Sequence, residues 1–240
     1  MFRYGMILAA MFLSQSSAFA DALTLAAGAG YKRPLTQIIR EYESSGHGKI
    51  DQIYGNMGQV IMQTKASGNV AFVVGEDSFL KSSGLDFAAF QDLGKGVLVI
   101  AFGSKVKLER PEDLLTARVA RVALPNENRA IYGKAAREFL RNAGLLDKLK
   151  DKVLEVSTVP QVSAYLISGE VEAGFINLTD ALYIKDKIGG YLTPDKSLYS
   201  PIRLVLGVMK GYEEKPDAKS FVNFVRTSPK VKEIIEKAGM

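Results

Sequence analysis

An α/β fold in two lobes, each a mostly parallel sheet flanked by helices, is predicted by three features of the 240-residue chain. Short apolar runs alternate with stretches of helical spacing from Leu23 onward, and the turns where a run gives way to a helix are rich in Gly, Asn and Pro. A strand and two helical stretches at the C-terminal end would also lack a sheet to join if the chain closed into one lobe.

Taken in order, Leu23 to Ala27 is the first strand and Gly28-Ala29-Gly30 its turn. Leu35, Ile38, Ile39 and Tyr42 then mark one buried helix face behind Pro34. Ile50 to Tyr54 begins a second unit, Gly55-Asn56-Met57-Gly58 turns it, and Val60 to Ala66 carries its helix before the strand Val70 to Val74. Val97 to Phe102 is a strongly apolar strand, followed by a short helix at Arg110 to Leu115 and a strand at Val119 to Leu124. The segment Pro125 to Arg129 leads into a helix with Ile131, Ala135, Phe139 and Leu140 on one side, ended by Gly144. A third round runs through strand Val153 to Val156, helix Pro160 to Ile167 and strand Ala173 to Ile176, with Asn177-Leu178-Thr179-Asp180 opening another helix. Leu204 to Val208 is a late strand, and the stripe Phe221, Phe224, Val225, Ile234, Ile235 and Ala238 belongs to a helical segment broken near Pro229. These readings place residues 21–102 and 204–240 in one lobe and 103–203 in the other, with the chain crossing near Gly103 and returning near Arg203.

Met1 to Ala20 has the pattern of an export signal cleaved after Ala20: Arg3, the apolar stretch Met6 to Leu13, then Ala18-Phe19-Ala20. That stretch is shorter than the roughly 20 residues a membrane span requires. The expected location is the periplasm.

Composition narrows the chemistry. With no Cys and one His (His47), zinc and iron–sulfur sites, thiol nucleophiles and disulfides are excluded. His47 lies in a Ser-Gly-His-Gly turn and is expected in solvent. Glu76-Asp77 and Glu112-Asp113 are adjacent pairs whose side chains do not converge as an acid–base pair must. No enzyme constellation and no cofactor motif is found: Gly28-Ala29-Gly30 lacks the third glycine of a dinucleotide fingerprint, and no Gly-Lys-Ser/Thr follows a strand. The 31 Lys+Arg are interspersed among 26 Asp+Glu, without the basic and aromatic interleaving of a nucleic-acid groove.

The turns remain. Parallel α/β lobes present ligands at the carboxyl ends of their strands, where each following helix offers unpaired N–H groups and partial positive charge. Gly30 and Tyr31, Asn56, Met57 and Gly58, Asn128 and Arg129, Gln161 and Asn177 lie at such ends and are the candidate ligand contacts. Tight turning serves equally for the glycines, and packing for Tyr31 and Met57. Lys32 and Arg33 are read as solvated. Arg129 sits against the local dipole at a helix start, where an anion would justify a guanidinium.

At these residues the chain resembles the periplasmic molybdate-binding proteins of ABC importers, and more loosely exported relatives described as colonisation or surface antigens. The resemblance covers essentially all of the chain after Ala20. It is carried by Leu23 to Tyr42, Gly55 to Ala66, Ile131 to Ala135 with Ala143 to Leu149, Gly169 to Ile176, and Ser228 to Gly239. It implies the type II periplasmic binding protein fold, with lobes closing on a tetrahedral oxyanion held by hydroxyls and backbone N–H groups. The contact positions depart from the family pattern. Gly30 stands where a serine follows the first strand, Asn56 and Met57 where a serine pair precedes a glycine, Asn128-Arg129-Ala130 near an alanine-glycine donor stretch, and Asn177 at a tyrosine donor.

The function this implies is capture of a small anion for ABC-type import. The anion is an oxyanion such as molybdate, tungstate or sulfate, or a small carboxylate or phosphate ester, the latter favoured by the planar fork of Arg129. The partners are the ligand and an ABC permease, and the expected state is a monomer. The alternative is an exported adhesin or sensor with the same cleft. A hydrolase is disfavoured by the lone turn histidine.

Overall fold

Two five-stranded sheets take up the strands read from the sequence, each with helices packed on it. The computed structural model describes residues 22–240, so the export-signal reading of Met1 to Ala20 lies outside the described residues. In chain order the first part comprises β1 (Leu23–Gly28), α1 (Lys32–Ser44), β2 (Ile50–Gly55), α2 (Met57–Ser67), β3 (Val70–Glu76), α3 (Asp77–Lys81) and β4 (Phe87–Gly96). The second part comprises β5 (Leu98–Phe102), β6 (Val122–Pro125), α4 (Ile131–Asn142), α5 (Leu146–Leu149), β7 (Val153–Val156), α6 (Val159–Ser168), β8 (Ala173–Asn177), α7 (Leu178–Ile184) and β9 (Gly190–Leu192). The chain ends with β10 (Ile202–Met209), α8 (Pro216–Thr227) and α9 (Pro229–Lys237).

The first sheet has the order β2-β1-β3-β10-β4 and the second β7-β6-β8-β5-β9. Each is mixed. Three parallel strands form one side, and the first strand after each crossing runs against them: β5 against β8, β10 against β3. The crossing falls at Val97, between β4 and β5, rather than near Gly103, so Leu98–Phe102 pairs in the second sheet. In sequence β5 is a buried apolar run like any other, and only its pairing with β8 reveals its lobe. The return at Ile202 lies beside the predicted Arg203.

Hydrophobic spacing decides the helices. Leu35, Ile38, Ile39 and Tyr42 of α1 are all buried, as their spacing requires. In the first lobe Phe72 of β3 packs on Phe221 of α8 at 5.1 Å between ring centroids; in the second Phe139 of α4 lies 6.1 Å from Phe175 of β8. Gly144, just after α4, has φ +67°, a conformation that costs glycine little. Strand β4 has no counterpart in the sequence reading: it is a sheet border with only Leu93 buried, so it offers no apolar run. His47 is exposed, stacked on Tyr42 at 4.4 Å, with Nδ1 3.3 Å from Ser220 Oγ, and so ties its turn to α8.

Register places the functional turns. Gly28 pairs with Gly55 at the ends of β1 and β2, and Pro125 with Val156 at the ends of β6 and β7. The turns entering α1 and α2 therefore leave the first sheet side by side, and those entering α4 and α6 leave the second.

Candidate ligand-binding site

These four turns meet between the lobes around a cavity of about 30 Å³. It is lined by Gly28 to Tyr31, Gly55 to Met57, Ala130 to Tyr132, and Thr158 with Val159. A single water needs about 10–15 Å³ on this measure, so the space suits a group of a few atoms. No ionisable carboxylate, ammonium or guanidinium is among the lining side chains.

What the cavity offers is helix starts. α4 begins behind Ala130, and a 3-10 turn, Ala29–Tyr31, begins behind Gly28 and runs directly into α1; neither start has a side-chain cap. Alanine is among the poorest N-cap residues, and a buried helix end without a cap leaves N–H groups in want of an acceptor. Ala130, Ile131 and Tyr132 are all buried against the cavity. Gly133 allows the close approach of this turn to its own loop, since a Cβ there would run into the carbonyl oxygens of Pro125 and Asn126. By contrast α2 is capped by Asn56, whose Oδ1 accepts from Gln59 N at 2.9 Å, and α6 by Thr158, whose Oγ1 accepts from Gln161 N at 3.3 Å. In both, the cap serves a deeper turn and the first helical residue, Met57 or Val159, lines the cavity. Four helix starts carry on the order of two positive charges in total, enough to balance a dianion without a cationic side chain.

Tyr31 and Tyr132, one from each lobe, both line the cavity, with hydroxyls hydrogen-bonded together beside Gly96. One proton is consumed between them, and the other is free for a third acceptor. Burial, reinforced by the neighbouring Tyr132 and by Glu76, holds the Tyr31 hydroxyl well above the ordinary tyrosine range; burial likewise raises Tyr132. Both remain neutral donors at physiological pH.

Around the cavity the lobes are clasped by polar links. Asn56 Nδ2 donates to Ser157 Oγ at 2.8 Å, Gly58 N to the Arg129 carbonyl at 3.2 Å, and Asn177 Nδ2 to the Gly30 carbonyl at 3.0 Å. Arg33 pairs with the buried Asp180, which also accepts from Ser163 Oγ. The structure is therefore a closed form.

Of the sequence candidates, Gly30, Tyr31, Asn56 and Met57 line the cavity; Gly58, Asn128, Arg129, Gln161 and Asn177 do not. Arg129 is exposed: its carbonyl joins the lobe clasp and its stem packs on Gly58, while the guanidinium takes no place in the lining. Asn128 is exposed, its N–H donating to Asn126 Oδ1 at 3.0 Å. Gln161 Oε1 accepts from Ser157 N at 3.0 Å and so caps α6. Asn177 caps α7, its Oδ1 accepting from Asp180 N at 3.2 Å. Arg33, read as solvated, is engaged with Asp180 and lies 3.5 Å over the ring of Tyr183.

Thr158 and Tyr132 were missed. Thr158 had a signal, since Thr158-Val159-Pro160-Gln161 is a capping pattern with proline in the first turn. Tyr132 had none, because a buried tyrosine in an amphipathic helix looks like core.

Residues 23–240 match the family described as bacterial extracellular solute-binding protein. Over 228 residues the chain is 28% identical to a Bacillus subtilis (strain 168) protein named as ABC transporter substrate-binding lipoprotein YvgL, with 90% of this chain and 85% of that one covered. It is 25% identical over 234 residues to molybdate-binding protein ModA of Rhodobacter capsulatus, with 92% and 89% covered. The solved periplasmic molybdate-binding protein of Azotobacter vinelandii superposes with a TM-score of 0.79 at 25% identity, covering 90% of this chain and 97% of the other.

Proposed function

The chain belongs to the bacterial extracellular solute-binding proteins and has the type II periplasmic binding protein fold, and from that premise we propose that it captures a small inorganic oxyanion between its lobes for delivery to an ABC permease. It is an extracytoplasmic solute-binding protein of the ABC transporter class, not an enzyme. In this reading Met1 to Ala20 directs export and is removed.

The observation that carries the choice of ligand is the buried, uncapped start of α4 sharing, with the uncapped 3-10 turn Ala29–Tyr31 that leads into α1, a space without charged side chains. An oxyanion takes N–H and O–H donors from several directions and needs no guanidinium fork. The size of the cavity and the position of Arg129 outside it argue against the carboxylate or phosphate ester that the sequence favoured. Relatives named for molybdate make molybdate and tungstate the first ligands to try, with sulfate as competitor. About six charge-assisted hydrogen bonds of roughly 1.5–3 kcal/mol each exceed the roughly 8 kcal/mol of micromolar affinity, and the surplus opposes association costs.

Calorimetry with molybdate, tungstate, sulfate, phosphate, citrate and phosphoglycerate tests this. The expected result is micromolar or tighter binding of at least one inorganic oxyanion and none of citrate or phosphoglycerate. Tight binding of an organic acid alone overturns the reading.

A further inference from the structure

Beside the ligand cavity, two larger hollows of about 530 and 300 Å³ share Arg33, Gln37 and Tyr183 and so form one groove. It straddles the lobes: α1 supplies Lys32, Arg33 and Arg40 from the first, while Pro160 of α6 and Tyr183 of α7 come from the second. Lys237 of α9 lines the second hollow, its ammonium paired with Glu233, so among the described residues the unpaired basic side chains of the groove are Lys32 and Arg40. No carboxylate is among the lining side chains of either hollow, although acidic and basic residues are nearly balanced over the chain. Tyr183 is 60% exposed and lies under the Arg33 guanidinium, an exposed Tyr–Arg pair of the kind that anchors protein interfaces.

The geometry points to a docking surface for an acidic, extended extracytoplasmic segment of the permease, one that is complete only when the lobes are closed. The inference rests on the transport reading above and adds the place and chemistry of the partner contact. Closure assembles the groove because its two walls belong to different lobes and Arg33 is joined to Asp180 across the seam. The spacing favours a peptide over a small anion: Lys32 and Arg40 are eight positions apart on α1, about 12 Å, the length of about four residues of extended chain and more than one phosphate or sulfate spans. A partner that touches this groove thereby distinguishes closed from open protein.

The test places the photoreactive p-benzoyl-phenylalanine at position 183 of the full chain in its own bacterium. The expected product on illumination is an adduct with a multi-spanning membrane protein, its yield falling at least fivefold when Lys32→Glu and Arg40→Glu are added. Calorimetry on the Lys32→Glu/Arg40→Glu chain is expected to give unchanged oxyanion affinity, because neither residue lines the ligand cavity. No membrane-protein adduct, or one indifferent to charge reversal, overturns the docking surface. So does citrate or pyrophosphate binding abolished by the reversal without any adduct, which would make the groove a small-anion site. Failure of the transport reading is seen separately, as a wild-type chain that binds none of the inorganic oxyanions.

Discussion

The ligand cavity and the rim that surrounds it are built by opposite means, the cavity from the four turns entering α1, α2, α4 and α6, the rim from these together with the turn entering α7. The cavity is lined by backbone at helix starts, by hydroxyls and by apolar side chains, without a formal charge. The rim holds Arg33 with Asp180, Asn56 with Ser157, and Asn177 with Gly30. The Arg33–Asp180 pair and the amides of Asn56 and Asn177 join lobe to lobe, and the proposed function leaves recognition of the guest to backbone N–H groups and hydroxyls. A neutral cradle suits a desolvated anion because each donor satisfies it without a counter-charge that itself needs solvation.

The sharpest way to break that contrast is to put a charge inside. Ala130→Asp introduces a carboxylate where the anion is expected and should weaken oxyanion binding at least 1000-fold, about 4 kcal/mol, by calorimetry. Circular dichroism should show the fold intact; retained affinity would place the ligand elsewhere.

Next in size is the rim. Arg33→Ala leaves Asp180 buried without its cation, and the lobes relieve that by opening. Spin labels on cysteines introduced into each lobe, in a chain with no native Cys, should report a more open ligand-free state. Affinity should fall about tenfold because less of the protein is closed.

The tyrosine pair comes third. The unfolded chain ionises its tyrosines near their ordinary value of 10.0, while burial raises Tyr31 and Tyr132 above it. Their contribution to stability is complete below pH 10 and is lost as pH climbs toward the raised values. Thermal melts should hold steady in this respect from neutral pH to about 10 and then decline, less steeply in Tyr31→Phe. Oxyanion affinity should stay flat from pH 6 to 9.

The smallest effect expected is the most pointed. Arg129→Ala should change oxyanion affinity less than threefold, since the structure uses only its carbonyl and aliphatic stem. A loss of tenfold or more would restore the guanidinium to the site and the organic anion with it.

Much of the framework was legible because its signals are local and periodic. The apolar stripe of α1, the glycine after α4 and the proline at the break between α8 and α9 all act within a few residues. Asn56 and Asn177 were legible as helix starts, and their type suggested ligand contacts; in the structure both cap helices and clasp the lobes, and Asn56 alone of the two also lines the cavity. A cap and a contact ask for the same short polar side chain, and nothing in the sequence tells which acceptor it will meet. Strand β4 escaped because a sheet border buries too little to leave an apolar run.

By itself, then, the sequence determined the alternation of strand and helix and the absence of thiols and disulfides, and it pointed to the turns as the place for an anion, all consequences of residue type and short-range spacing. Only the tertiary structure decided which sheet β5 joins, that Tyr31 meets Tyr132, and that Arg129 lies outside the cavity lining while Ala130 and the first residues of α4 lie in it. Those choices depend on strand pairing and lobe contact between residues up to about a hundred positions apart, and a backbone donor has no residue type by which a sequence could announce it.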